Sequence, residues 1–185
     1  MKPTGASMLA IVALCVLCGV GYGIIHDEIT ARICPQYFNV DHPALGWPAV
    51  FHSRSPTVLG LAWGIVATAP LATFFGVMLA LAAQVGRWPQ VAPRVLALPL
   101  VIGLLFMAAC AVAGGLWGHR VRLASAHALS ASAVRFKNIS NIVGERTDFY
   151  AHAASYLAGA VVGLALPIGT IVHRRRAWQI SQRRE

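Results

Sequence analysis

The sequence predicts an all-α fold: an integral membrane four-helix bundle, with a polar outer loop after the first span and an amphipathic helical segment before the fourth. Three observations carry this. Of the 185 residues, 57% are hydrophobic and only 11% charged, whereas a soluble domain carries about a quarter charged residues. Four apolar segments each match or exceed the ~20 residues a helix needs to cross a bilayer. Each segment also carries small residues four apart, which let helix backbones approach where lipid supplies no hydrophobic drive for association. The length suits one membrane domain over residues 1–185.

The first span covers about residues 6–25. It follows Lys2 and no small-residue cleavage site comes after it, so it reads as a retained anchor and not a signal peptide. A polar connection from His26 to about Ser55 contains Pro35, Pro43 and Pro48, and reads as irregular with at most a short helix or strand. The second span, about 56–84, is interrupted by Pro70 and has length to tilt. A short turn holding Gly86, Arg87, Trp88, Pro89 and Arg94 leads to the third span, about 95–117. Between 118 and 148, apolar residues recur at three- and four-residue spacings, the mark of an amphipathic helix. This segment either extends the third span or lies on the membrane surface. The fourth span covers about 149–172, and a basic tail, 173–185, follows.

The small pairs are Gly19 and Gly23, Gly60 and Gly64, Gly114 and Gly118, and Gly159 and Gly163, with Ser155 continuing the last row. They predict tight packing within the bundle and leave the oligomeric state open.

The net charge of +9 does not point to nucleic acid. Its densest cluster, His173-Arg174-Arg175-Arg176, directly follows an apolar span, where cations set orientation or meet anionic headgroups, and no nucleic-acid motif accompanies it. The partner this composition implies is the lipid bilayer. Arg87 and Arg94 in the short turn, Lys2, and the arginines of the tail make one side dense in cations, which places both termini in the cytoplasm. Six of the seven histidines then fall outside: His26, His42, His52, His119, His127 and His152. Five of the six acids do too: Asp27, Glu28, Asp41, Glu145 and Asp148.

The outer end is therefore where polar chemistry is expected. His26, Asp27 and Glu28 leave the first span, while Asp148 and His152 begin the fourth at the same level, so His26 and His152 are placed to meet. Asp148 is positioned to orient the His152 ring, as carboxylates orient metal-bound imidazoles, and His127 is a further ligand. Thr30 shares the helical spacing of His26, Arg32 is set to pair with Glu28, and Ser155 and Tyr156 share the face of His152. These types fit a divalent-metal site, a proton relay or a pH sensor. The alternative is that polar residues at span ends only cap helices and seal the bundle. No HExxH, Glu-x-x-His or nucleophile elbow is present. Two functional readings follow: a non-enzymatic membrane protein whose outer end binds a partner, lipid or ion, and a metal-dependent membrane enzyme or transporter using His26, Asp27, Glu28 and His152.

Cys15-Val16-Leu17-Cys18 resembles the redox motif of four-span quinone-linked thiol oxidases. In those proteins it sits at the mouth of a span, whereas here it falls near mid-span, the setting of small apolar cysteines. A wider resemblance rests on two stretches. Gly23-Ile24-Ile25-His26-Asp27-Glu28-Ile29-Thr30, followed by Pro35-Gln36-Tyr37-Phe38, resembles the GxxHDxxT and PEYF-like sequences of a family of small bacterial four-span integral membrane proteins, with Gln36 in place of the glutamate. His152-Ala153-Ala154-Ser155-Tyr156-Leu157-Ala158-Gly159 is similar to that family's HxxSYxxG. The resemblance implies a four-span architecture in the bacterial inner membrane, and no reaction.

Overall fold

The computed structural model describes residues 5–41, 53–120 and 140–183. Four helices dominate: α1 (Gly5–Ile33), α2 (Pro56–Gln84), α3 (Pro93–Arg120) and α4 (Ile142–Gln182), with a π-helical turn at Tyr37–Asp41. All four are long and apolar enough to cross a membrane, so the chain has the build of a multi-pass membrane protein. Leu9, Leu17, Phe74, Leu98, Leu105 and Leu157 face outward and are more than half exposed. Apolar surface on this scale is what a bilayer covers.

The helices form two hairpins. α1 packs along α2 and α3 along α4, and the hairpins touch one another far less. Glycines set both close approaches. A Cβ added at Gly64 would stand 2.6 Å from the Ile24 backbone, and one at Gly60 2.8 Å from that of Glu28. In the second hairpin Gly114 and Gly118 lie against the backbone of Tyr150 and Arg146. Gly159 meets Met107, and Gly163 meets the Phe75 ring across the hairpins. The small pairs are thus used within one chain. Trp63 is buried among Ala31, Cys34, Phe38 and Leu59.

Two expected boundaries move. The first helix does not stop at residue 25. It continues through His26, Asp27 and Glu28 to Ile33, because nothing before Pro35 breaks it and buried Asp27, Thr30 and Ala31 keep it against the bundle. The polar connection is therefore helical in its first quarter. The fourth helix likewise runs on to Gln182, so most of the expected tail is a helical extension of the span. Its Arg174 is also not a free surface cation, being 1% exposed. The helix expected between 118 and 148, and with it His127, falls largely outside the described residues, as do His42 and His52.

At the end of the molecule holding the α2–α3 turn, Arg174 fastens the hairpins together. Its Nε donates to the Pro89 carbonyl (2.7 Å), Nη2 to that of Trp88 (2.9 Å), and Nη1 to those of Val85 (2.9 Å) and Ala82. Ala82 is in the last turn of α2, where helix carbonyls lack intrahelical partners and carry partial negative charge. Gln84 Nε2 closes the turn on the Val91 carbonyl at 2.7 Å, and Gly86 supplies the positive φ of 96° that the reversal requires.

Candidate functional site

The opposite end is built where the last two turns of α1 meet the first three of α4. Asn141 starts α4 by accepting the Gly144 amide on its side chain (2.9 Å), while its Nδ2 donates to the Ile33 carbonyl (3.1 Å). Gln36 Oε1 accepts from the Ser140 amide (3.0 Å) and hydroxyl (3.1 Å). These bonds fix the end of α1 against the start of α4. Lower down, the Tyr22 hydroxyl bonds that of Ser155 at 2.7 Å.

Within this frame His26 and His152 meet, their ring centroids 4.5 Å apart and crossed at 71°. His152 is 2% exposed and Asp27 5%. One ligand atom from each of His26, Asp27 and His152 can be chosen so that all lie within 4.8 Å of one another. Tyr37 and Phe38 cover His152 at centroid distances of 4.7 and 5.7 Å. Tyr22 stacks on His26 from the other side at 5.8 Å.

Hydrogen bonding fixes the orientation of His152. Its Nδ1 lies 2.8 Å from the main-chain oxygen of Asp148. A carbonyl only accepts, so Nδ1 carries the proton. The other nitrogen, Nε2, lies 3.2 Å from Asp27 Oδ1. With His152 neutral and Asp27 ionised, two lone pairs would face each other at this distance, so a positive charge belongs between or beside them. It is either a proton shared by the two atoms or a metal ion. His26 Nε2 is also buried and has no hydrogen-bond partner among the described residues.

The remaining expected residues divide sharply. Asp148 does orient His152, but through its backbone oxygen and not its carboxylate, because the four-residue helical spacing brings Nδ1 onto the main chain. The carboxyl is 0% exposed and lies beside the Cys34 main chain and Glu145, with no hydrogen bond of good geometry to either oxygen among the described residues. Glu28 turns away from the histidines and pairs with Arg32, which also reaches Thr57 Oγ1 at 3.0 Å. Thr30 is buried and donates to the His26 carbonyl at 3.1 Å, a bond within its own helix. Tyr156 lies edge-on to His152 at 6.0 Å.

Three contributors had no functional reading in the sequence. Tyr22 lies near the end of the expected first span and faces the site. Asn141 carried a usable signal, an N-cap residue directly before an apolar helix. Gln36 carried none beyond its place in the Pro35-Gln36-Tyr37-Phe38 run. The cysteines form no disulfide. Cys15 is buried in the bundle core, and burial raises the Cys34 thiol above its ordinary value, holding it protonated. Compared with family models, with curated proteins and with solved structures, the chain matches none.

Proposed function

We propose that this chain is a multi-pass protein of the bacterial inner membrane, with both termini cytoplasmic, whose outer end binds a divalent cation through His26, Asp27 and His152. The observation that carries the reading is the convergence of three lone-pair atoms within 4.8 Å in a buried setting. The Nδ1–H of His152 is tied to a main-chain oxygen, the usual way of aiming the other nitrogen of a histidine at a metal. Two imidazoles and a carboxylate suit zinc or another first-row ion. Three protein ligands leave a coordination position open, as in metal sites that act on or move something. The two stretches that resemble the bacterial four-span family supply these ligands, one stretch from α1 and the other from α4. Arg87, Arg94, Arg175 and Arg176 gather at the opposite end, which supports its cytoplasmic placement.

A second reading has its own support: the 3.2 Å between His152 Nε2 and Asp27 Oδ1 is also a hydrogen-bond length, so the pair would share a proton. Metal analysis of the protein purified in mild detergent, after incubation with zinc or manganese and removal of excess, separates the two. One equivalent of metal is expected in the wild type, falling to background in His26→Ala, Asp27→Asn and His152→Ala. A wild type that retains no more metal than the H26A/H152A double variant overturns the cation reading in favour of the shared proton.

A further inference from the structure

The site has an apolar side. A cavity of about 270 Å3 lies between the hairpins and is walled by all four helices, including Cys15, Gly19, Phe75, Met107, Gly163 and Pro167. Along α1 it extends from Cys15 to Asp27, about 18 Å at the helical rise. Its histidine, its carboxyl and most of its hydroxyls gather at one end, on Tyr22, His26, Asp27, Ser155 and Tyr156. Leu71 of α2 and Tyr156 and Ala160 of α4 line the cavity while remaining exposed on the outside of the bundle. The cavity therefore opens sideways between α2 and α4, at a level the hydrocarbon of a bilayer occupies.

We infer that this cavity binds a single-chain lipid with a small, oxygen-bearing head, its tail lying along α1 towards Cys15 and its head at His26 and Asp27. The sideways opening admits a ligand already dissolved in the membrane. The long, narrow shape takes one chain. The polar end selects the head. His26 Nε2 is buried without a partner, and the Tyr22 and Ser155 hydroxyls can each make further bonds. The head oxygen falls beside the open coordination position, so the inference deepens the cation reading and rests on the same residues.

The test is binding of a radiolabelled long-chain alcohol, 1-hexadecanol, to the purified protein in detergent. A two-chain phospholipid is the competitor, and metal content is read in the same samples. Saturable binding of the alcohol is expected, about tenfold tighter than that of the phospholipid or more. Ala160→Phe at the exposed opening should weaken it at least about tenfold while metal uptake stays unchanged. Absence of saturable binding, preference for the two-chain phospholipid, or undiminished binding by A160F overturns the inference. Binding by protein that takes up no metal breaks only the cation reading. Metal-loaded protein that takes up no alcohol breaks only the lipid reading.

Discussion

Arg174 and Asp148 are buried ionisable groups and His26 is a half-buried one with its Nε2 enclosed, set at the two ends of one bundle. The three nitrogens of Arg174 all donate to main-chain oxygens, four in total, of α2 and the turn that follows it. At the histidine end, His26 Nε2 and both carboxyl oxygens of Asp148 are buried without hydrogen-bond partners among the described residues, and His152 Nε2 faces Asp27 Oδ1. Burying a polar group without a bond costs on the order of 1–3 kcal/mol, and folding alone gives no return on that cost. A satisfied buried cation is explained by the fold it fastens. Unsatisfied buried acceptors are explained by something that binds them. The contrast separates architecture from function within one chain.

The largest effect should come from the arginine end. Arg174→Met removes the donors and leaves four main-chain oxygens to be satisfied otherwise, two of them near the end of α2. Bonds from a charged donor contribute about 1.5–3 kcal/mol each, and they act together here, so a loss of about 3 kcal/mol or more is expected. Arg174→Lys should recover only part, since an ammonium lacks the planar fork that spans these oxygens. Unfolding in mixed micelles with increasing denaturing detergent measures this. A stability change below about 1 kcal/mol for R174M would remove the distinction between the two ends.

The histidine end should respond in the opposite sense. Asp148→Leu replaces a fully buried carboxyl lacking hydrogen-bond partners with an apolar side chain, and should stabilise the bundle by about 1 kcal/mol. The same unfolding measurement reads it. Stability gained by deleting a polar group is the signature of a site that holds its shape for a ligand. A loss of 2 kcal/mol or so would instead make Asp148 a structural member of the end, comparable to Arg174.

Much of this comparison was legible in the residues, and the gaps have physical causes. Four apolar runs and their small residues predict the bundle because helix spacing in lipid is set by side-chain size. The meeting of His26 with His152 follows from membrane levels alone, since one span ends where the other begins. The extent of α1 was not legible: apolar length marks where a helix enters lipid, not where it stops, and His26 to Ile33 keeps helical spacing after the apolar run ends. Arg174 was hidden for a related reason. In a run of three arginines, composition cannot tell which one falls on the inward face, and helical phase relative to the neighbouring hairpin decides it. Tyr22 was hidden because an aromatic residue near a span end suits both the headgroup level and a packed site.

Glu28 gives the finest test, because the sequence grouped it with His26 and Asp27 while the structure turns it outward. Its ion pair with Arg32 leaves the arginine side chain 53% exposed and the glutamate 22%. Exposed pairs four apart on a helix contribute about 0.3–0.5 kcal/mol. A double-mutant cycle over Glu28→Gln and Arg32→Gln, read by detergent unfolding, should give a coupling in that range, and Glu28→Gln should leave metal uptake unchanged. One Glu28 carboxyl oxygen, Oε1, is nevertheless buried without a hydrogen bond among the described residues, so a further carboxyl lies within a turn of the site's ligands. If E28Q lowers metal uptake while the coupling to Arg32 stays small, the glutamate has left the arginine for the cation. The boundary between the exposed rim and the binding site would then move outward by one residue of α1.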